Sequence, residues 1–193
     1  PAPAEEKLRE LPVLDDPVGD FGPTSKERII ELNHAAANYF KEQYKDSSAA
    51  AYLQRRLGTD LTDHPNIVVG HAPGGPGSSR LVDHLRSQGA TDQELVDAGL
   101  AKWGRQQQLI DVFRDRLILG LHNTDGDLVG FVGRAAPGAG DRVPKYLNTP
   151  ASRAFHKGQI LFGLPEHQEL INDGADLVRT EGPFDALAIT LAC

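Results

Sequence analysis

The chain has 193 residues, of which 39% are hydrophobic and 24% are charged, which is ordinary globular composition with enough apolar residues to bury a core. Its single cysteine, Cys193, excludes a disulfide framework and a cysteine-based zinc site, and it favours a reducing, cytoplasmic setting. No apolar run approaches the roughly 18 residues that span a bilayer, so we expect no membrane segment. The lack of methionine, even at position 1, predicts a piece of a longer protein.

The net charge of −7 argues against a generic nucleic-acid binder, which is usually basic. The charge is unevenly distributed, however. Between residues 134 and 157 the only acid is Asp141, and five side chains are basic: Arg134, Arg142, Lys145, Arg153 and Lys157. That segment carries +4 and the remainder −11, so we expect a local cationic patch on an acidic body.

The first segments in chain order are a tail and two helices. We interpret residues 1–33 as an N-terminal tail or linker, proline-rich at its beginning. Thr24 or Ser25 is expected to cap a helix whose apolar residues recur at helical spacing from Ile29 to Tyr44. A second helix is predicted over Ser48–Leu57, ended by Gly58.

A strand, a loop and two short helices follow. The run "NIVVGHAPGGPGSS" predicts a strand that enters a Gly/Pro turn, because it lacks the Lys-Ser/Thr ending of a phosphate-binding loop. Helices are expected over Leu81–Gln88 and over Asp92–Ala98, the latter with Thr91 as N-cap.

The second half predicts a small sheet. Two apolar runs around Asp125-Gly126, in "DRLILGLHNTDGDLVGFVGRA", are typical of a hairpin. We further predict a strand in "GQILFG", a short helix in "PEHQELIND" and a strand in "DLVRT". The fold class is therefore α+β: a helical first half, a small antiparallel sheet, and the start of an α/β unit.

Glu181 is predicted to emerge where the last strand ends, before Gly182 and a helix that begins near Phe184. Asp185 would then lie on the first helical turn, near Glu181. Two such carboxylates could bind Mg²⁺ or act as general acid and base. The alternative, that they only favour a helix N-terminus through its dipole, remains open.

The basic segment offers a second candidate site. Lys145 precedes Tyr146 and Asn148, and Lys157 and Arg134 complete the set. Cations beside an aromatic ring and an amide suit a single-stranded nucleic acid or a nucleotide phosphate. A solvated loop that serves solubility is the alternative.

Two further groups of residues, a pair of arginines and the histidines, are weaker candidates for a functional site. Arg114 and Arg116 are candidates for catalysis, but Asp111 and Asp115 nearby make an internal salt-bridge network an equal alternative. None of the seven histidines has metal-ligand spacing, and His156 lies within the basic segment.

Six segments taken together resemble the catalytic core of bacterial DnaG-type DNA primases over roughly residues 34–193. They are "AYLQRRLG", "VGHAP", "AGL", "DVFRDRLILGLHNTDGDLVGFVGR", "PKYLNTPASRAFHKGQILFGL" and "TEGPFDALAI". The last resembles the first motif of the TOPRIM fold. This resemblance implies that residues 34–174 form the N-terminal subdomain of the core and residues 175–193 the start of a truncated TOPRIM domain.

The resemblance also implies roles. Glu181 matches the glutamate given acid/base or metal-linked duty in nucleotidyl transfer, and Asp185 matches the acid one turn later. The residues that match template- and nucleotide-contacting positions are Arg56, Arg134, Lys145, Tyr146, Asn148 and Lys157. The implied cofactor is Mg²⁺ or Mn²⁺, with single-stranded DNA and NTPs as partners; a helicase partner stays open.

Departures from the family pattern are visible too. The zinc ribbon that precedes such cores is absent from this chain, and the later Asp and Asp-x-Asp metal ligands are not in it. Pro183 stands where an aromatic is common. We therefore expect a primase fragment that is inactive in synthesis by itself. A non-catalytic single-strand-binding or interaction module on the same scaffold is the rival, and a TOPRIM nuclease is a weaker third.

Overall fold

The computed structural model describes residues 21–59, 61–64, 67–163, 165–176, 178 and 180–191. The helices are α1 Lys26–Glu42, α2 Ser48–Leu57, α3 Arg80–Ser87, α4 Asp92–Asp97, α5 Gln168–Asn172 and α6 Pro183–Thr190. The strands are β1 Val69–Ala72, β2 Ala101–Trp103, β3 Leu109–Asp111, β4 Arg116–His122, β5 Leu128–Ala135 and β6 Tyr146–Asn148. Short 3-10 turns span Lys157–Gln159 and Pro165–His167. The predicted α+β class is confirmed.

Local signals set the helix ends, and the predicted Ser25 cap and Gly58 stop are confirmed, whereas the Ser47 cap was not predicted. The Ser25 hydroxyl accepts from Arg28 N at the start of α1, and the Ser47 hydroxyl accepts from Ala50 N at the start of α2. Gly58 ends α2 in the left-handed conformation, with φ 73°. Such serine caps and a left-handed glycine satisfy backbone groups that a helix leaves without partners.

The main sheet is antiparallel, with strand order β1-β4-β5-β6. The predicted hairpin joins β4 to β5 through a turn in which Asn123 N donates to Asp127 O and Gly126 has φ 84°. Strand β6 pairs with β5 and is the last in the order. The sheet therefore presents one edge along "KYLN", which the sequence reasoning had not assigned to a strand.

Helices cover both faces of this sheet. Helix α1 packs on the face that includes Ile118 and Phe131, and α2 packs on the opposite face with Leu117 and Leu119. Helix α1 and strand β1 approach closely at Gly70, where an added Cβ would lie 2.5 Å from Phe40 Cβ and 2.7 Å from the Phe40 carbonyl carbon. Phe184 and Leu187 of α6 are buried in the second core, so α6 packs on the same face as α2.

A separate two-stranded sheet, β2–β3, lies beside α3 and α4. The buried Asp111 carboxylate at the end of β3 accepts from Leu81 N at 3.3 Å and from Val82 N at 3.0 Å. Burial nonetheless raises the pKa of Asp111. These hydrogen bonds fix the hairpin to the N-terminus of α3.

Three sequence predictions differ from the structure. "GQILFG" is not a strand, because it forms the 3-10 turn Lys157–Gln159 and a following turn. The strand predicted in "DLVRT" falls partly on residues 177 and 179, outside the described residues, and residues 175, 176, 178 and 180 have no strand assignment. The short strands β2, β3 and β6 were not predicted. The domain boundary at residue 33 stays a prediction, and α1 crosses it.

Within the described residues, no helix has the length and apolar character needed to cross a membrane.

Candidate nucleic-acid interface

Arg134, near the end of β5, contacts two aromatic rings. Its guanidinium carbon lies 4.1 Å from the centre of the Tyr52 ring and 5.6 Å from that of Phe184. The two rings are 6.0 Å apart and nearly perpendicular, at 82°. An arginine over aromatic faces is attracted by their quadrupoles. Helix α2, strand β5 and helix α6 thus meet at one guanidinium.

Strand β6 brings Tyr146 to the same place. Tyr146 is directly opposite Arg134 in the β5–β6 register, so both side chains leave the same face of the sheet. The Tyr146 ring centre is 6.2 Å from that of Phe184, and Lys145 Nζ lies 5.5 Å from the Tyr146 ring. Tyr146 is still 37% exposed. A base could therefore reach its ring.

Helix α2 adds cations beside the aromatic rings. Arg56 follows Tyr52 by four residues, which places both on one helix face. Arg56 Nη2 is 3.5 Å from Asp185 Oδ1, and these side chains are 50% and 57% exposed. A surface depression beside them is lined by Tyr52, Arg55, Arg56 and Pro137.

We call this group the arginine–aromatic cluster: Tyr52, Arg56, Arg134, Lys145, Tyr146, Phe184 and Asp185. It unites five of the residues predicted for the site. Asn148 is two residues from Tyr146 on β6 and so faces the same side. Lys157 is exposed, and none of the contacts among the described residues joins it to the cluster.

Arg116 is a buried residue that positions the backbone of the cluster, a role that the sequence did not predict. It is 5% exposed and donates to Gly133 O at 3.1 Å and to Pro144 O at 2.9 Å. Burial lowers the pKa of Arg116. These bonds join β5 to the residue before Lys145, so Arg116 holds the two strands that carry Arg134 and Tyr146.

For Arg114 and Arg116 the sequence left two alternatives open, a catalytic role and an internal salt-bridge network. Among the described residues, no ion pair joins either arginine to Asp111 or Asp115. Arg114 instead donates to the backbone carbonyl of Asp111, and the carboxylate of Asp111 serves α3.

One cation of the basic segment, Arg153, has a structural contact of its own. Arg153 Nε donates to the carbonyls of Phe21 and Gly22, at 3.2 and 3.1 Å. Thr24, just after them, donates from its hydroxyl to Asp97 at 2.6 Å. Arg153 therefore fastens the chain before α1.

Glu181 is exposed and directly precedes Gly182, the N-cap of α6. Its carboxylate suits a hard cation. The described part of the chain contains no group of three or more His, Cys, Asp or Glu side chains that could hold a metal ion, and Asp185 is paired with Arg56. The described residues thus do not form a complete Mg²⁺ or Mn²⁺ site by themselves.

Tyr52 and Phe184 are the site residues that sequence reasoning missed. Tyr52 stands one helical turn before Arg56, and that spacing could have indicated a shared face. Phe184 belongs to the apolar start of α6 and is 2% exposed, so its pattern is that of a core residue. Only the fold shows that the Phe184 ring lies beside a cationic surface.

An exposed cationic and aromatic surface beside the edge strand of an antiparallel sheet defines a candidate nucleic-acid-binding protein. Residues 37–168 match the family model of the DNA primase catalytic core, N-terminal domain. The chain therefore belongs to this DNA primase family.

Individual relatives of the chain are also DNA primases. The chain is 34% identical over 182 residues to a DNA primase of Streptomyces coelicolor, covering 90% of this chain and 28% of that protein. The RNA polymerase domain of the Mycobacterium tuberculosis primase DnaG, in complex with double-stranded DNA, is 30% identical with a TM-score of 0.78, covering 87% of this chain and 53% of that one. A DnaG primase catalytic domain bound to single-stranded DNA has 29% identity and a TM-score of 0.69, covering 86% and 53%. This chain spans about a quarter to a third of the length of its curated relatives.

Proposed function

We propose that this chain is part of a DNA primase and that its arginine–aromatic cluster holds the single-stranded DNA template and the incoming NTP. The observation that carries the proposal is the convergence of Arg134, Lys145 and Tyr146 at one surface, where they contact the rings of Tyr52 and the buried Phe184. The family membership and the similarity to a DnaG domain bound to single-stranded DNA support it.

The chemistry of the cluster suits a moving template. Arg56, Arg134 and Lys145 would neutralise phosphates, and the exposed Tyr146 ring would stack on a base. Stacking and phosphate contacts tolerate any sequence, because every base has a π-face and every nucleotide a phosphate. Asn148, on the same face of β6, would donate a hydrogen bond, and Lys157 would extend the path.

Glu181 would act at the reacting end. In primer synthesis a 3′-hydroxyl attacks the α-phosphate of an NTP, and a divalent ion neutralises the charge that develops. We assign Glu181 and Asp185 to that reaction, Glu181 with acid/base or metal-linked duty. The described residues supply no complete ion site, so further oxygen ligands would come from later strands of the parent protein.

The domain division belongs to this proposal. Residues 34–174 would form the N-terminal subdomain and residues 175–193 the start of a TOPRIM domain. Burial of Phe184 and Leu187 in the core beside α2 supports a fixed junction between them, since packed contacts would set where Glu181 lies relative to Lys145.

The test uses the full-length parent protein and measures Mg²⁺-dependent incorporation of labelled NTPs on single-stranded DNA. Glu181→Gln is expected to reduce incorporation about a hundredfold or more, the scale of a lost acid/base group, with template affinity unchanged. Glu42→Gln, an exposed glutamate on α1, is the matched control. Full incorporation by Glu181→Gln would overturn the role of Glu181.

The second candidate, a binding module without catalysis, predicts a different result. The parent would bind single-stranded DNA, and charge reversal at Lys145 would weaken that binding, but no NTP would be incorporated with or without Glu181. The same cluster favours this candidate, because it requires no metal site.

A further inference from the structure

The β2–β3 hairpin carries the only tryptophan of the chain on its surface. Trp103 ends β2 and is 57% exposed, although it is paired across the hairpin with Leu109, which is buried at 4%. A large ring of this kind is costly to leave in water. Nothing in the arginine–aromatic cluster accounts for it, since Trp103 lies on a different sheet.

The charged residues next to Trp103 in the sequence are all positive. Lys102 and Arg105 are exposed, and within the described residues neither forms an ion pair. The segment 98–110 contains no acid, although the whole chain carries −7. The remaining residues at the hairpin tip are Gly104 and three glutamines, Gln106, Gln107 and Gln108. A single exposed ring among cations and amides is suited to stacking on a base. A protein partner would instead require a broad apolar face.

The hairpin is rigidly placed. Gly104 N donates to Gln108 O at 2.7 Å and closes its tip. At its base, the Asp111 carboxylate accepts from the amides of α3. A backbone held this way loses little conformational freedom when a base stacks on the Trp103 ring.

The hairpin also begins beside the proposed template path. An added Cβ at Gly99, just before β2, would lie 2.9 Å from both Thr149 Cγ2 and Pro150 Cδ. These two residues directly follow β6, the edge strand that starts with Tyr146. Trp103 is four positions after Gly99, a reach of at most about 14 Å. A single-stranded DNA that extends from Tyr146 along β6 and passes the sheet edge would meet the hairpin.

We propose that the β2–β3 hairpin is a second contact for single-stranded nucleic acid. The Trp103 ring stacks on a base, and Lys102 and Arg105 bind the flanking phosphates. This proposal rests on the function proposed for the arginine–aromatic cluster, because it concerns the same template beyond the cluster.

The test uses the fluorescence of this chain, whose sole tryptophan reports on the hairpin directly. Oligothymidylates of about 4 and about 16 nucleotides bracket the site sizes of single-strand binders. The longer oligomer is expected to quench Trp103 on binding, and the shorter one, held by the cluster, to leave it unchanged. Unchanged Trp103 fluorescence at saturation with the longer oligomer would overturn the proposal.

Affinities of variants test the energy of the contact. Trp103→Ala is expected to weaken binding of the longer oligomer at least about fivefold, the low end for a lost stacking contact, and to leave the shorter one unaffected. Trp103→Phe retains a ring and should retain most of the affinity. Leu170→Ala, which alters a residue 58% exposed on α5, is the matched control.

Charge reversal separates this proposal from the function on which it rests. Lys102→Glu plus Arg105→Glu should abolish the quenching of Trp103 fluorescence, whereas Lys145→Glu should weaken the binding of both oligomers. If only Lys145→Glu has an effect, the hairpin proposal fails and the function of the cluster stands. If the unaltered chain binds neither oligomer, both fail.

Discussion

The Arg134 guanidinium lies 4.1 Å from the centre of the Tyr52 ring, and this contact joins strand β5 to helix α2. The centre of the Phe184 ring, on helix α6, lies 5.6 Å from the same guanidinium carbon. The cation is thereby held in one orientation while remaining partly exposed. A cation positioned in advance loses less entropy when a phosphate arrives, because its rotamer is already chosen.

Removal of this cation should weaken template binding in a salt-dependent way. Arg134→Ala is expected to lower the affinity for single-stranded DNA severalfold and to reduce the slope of log affinity against log salt by about 0.7. Arg134→Lys retains the charge but not the planar stack, so it should recover the slope and only part of the affinity. Fluorescence anisotropy at several salt concentrations measures both. An unchanged slope for Arg134→Ala would show that the guanidinium contacts no phosphate.

The Arg56–Asp185 pair should restrain template binding by this chain. Asp185→Asn removes an anion 3.5 Å from Arg56, and we expect affinity for single-stranded DNA to rise severalfold. Asp173→Asn, an exposed aspartate after α5, controls for net charge. Binding weakened by Asp185→Asn would instead mean that the carboxylate is needed to orient Arg56.

Close packing at Gly70 should make that position intolerant of a side chain. In Gly70→Ala the new Cβ would lie 2.5 Å from Phe40 Cβ and 2.7 Å from its carbonyl carbon. Because backbone must move, we expect the free energy of unfolding to fall by about 1–3 kcal/mol. Chemical denaturation measures it. Gly75→Ala, where an added Cβ meets nothing within 4 Å, should leave the unfolding midpoint nearly unchanged.

Glu94 should make stability depend on pH in the acid range. The hydrogen bond from Arg28 and the Thr91 amide lower the pKa of Glu94 from 4.5 to about 2. The stabilisation is therefore complete above the unfolded value and is lost as pH falls from about 4.5 towards about 2. Glu94→Gln can keep the capping hydrogen bonds but loses the charge.

Thermal unfolding at pH 7 and pH 3 measures this effect. The fall in Tm between the two should be smaller for Glu94→Gln than for the unaltered chain. An equal fall in both proteins would show that the Arg28–Glu94 pair contributes nothing in this range.

Local chemistry made much of the fold predictable. Ser25, Gly58 and Thr91 act on backbone groups within a few residues, so their roles follow from sequence spacing alone. The β4–β5 hairpin follows from Asp125-Gly126 between two apolar runs. Three-residue strands such as β6 have no such signal. "GQILFG" has strand-like apolar residues but pairs with no strand among the described residues, and pairing decides whether such a run is a strand.

The site was partly predictable for a similar reason. Lys145 and Tyr146 are neighbours in sequence, and their charge and aromaticity indicate a ligand. Tyr52, Arg134 and Phe184 come from three distant segments, and only the packing of α2 and α6 on the sheet unites them. Arg116 could not be assigned from sequence, because its two acceptors are backbone carbonyls that the β5–β6 pairing positions.

The most direct test of the proposed template path is charge reversal at two exposed lysines, Lys145 of the cluster and Lys157 beyond it. Lys145→Glu plus Lys157→Glu leaves the packed residues Tyr52, Arg134 and Phe184 unaltered, and Lys41→Glu plus Lys45→Glu makes the same charge change on and just after α1. We expect the first pair to lower affinity for single-stranded DNA about tenfold or more at low salt, with a shallower salt dependence, and the second pair to have little effect. Equal affinities of the two double variants would contradict the proposed template path.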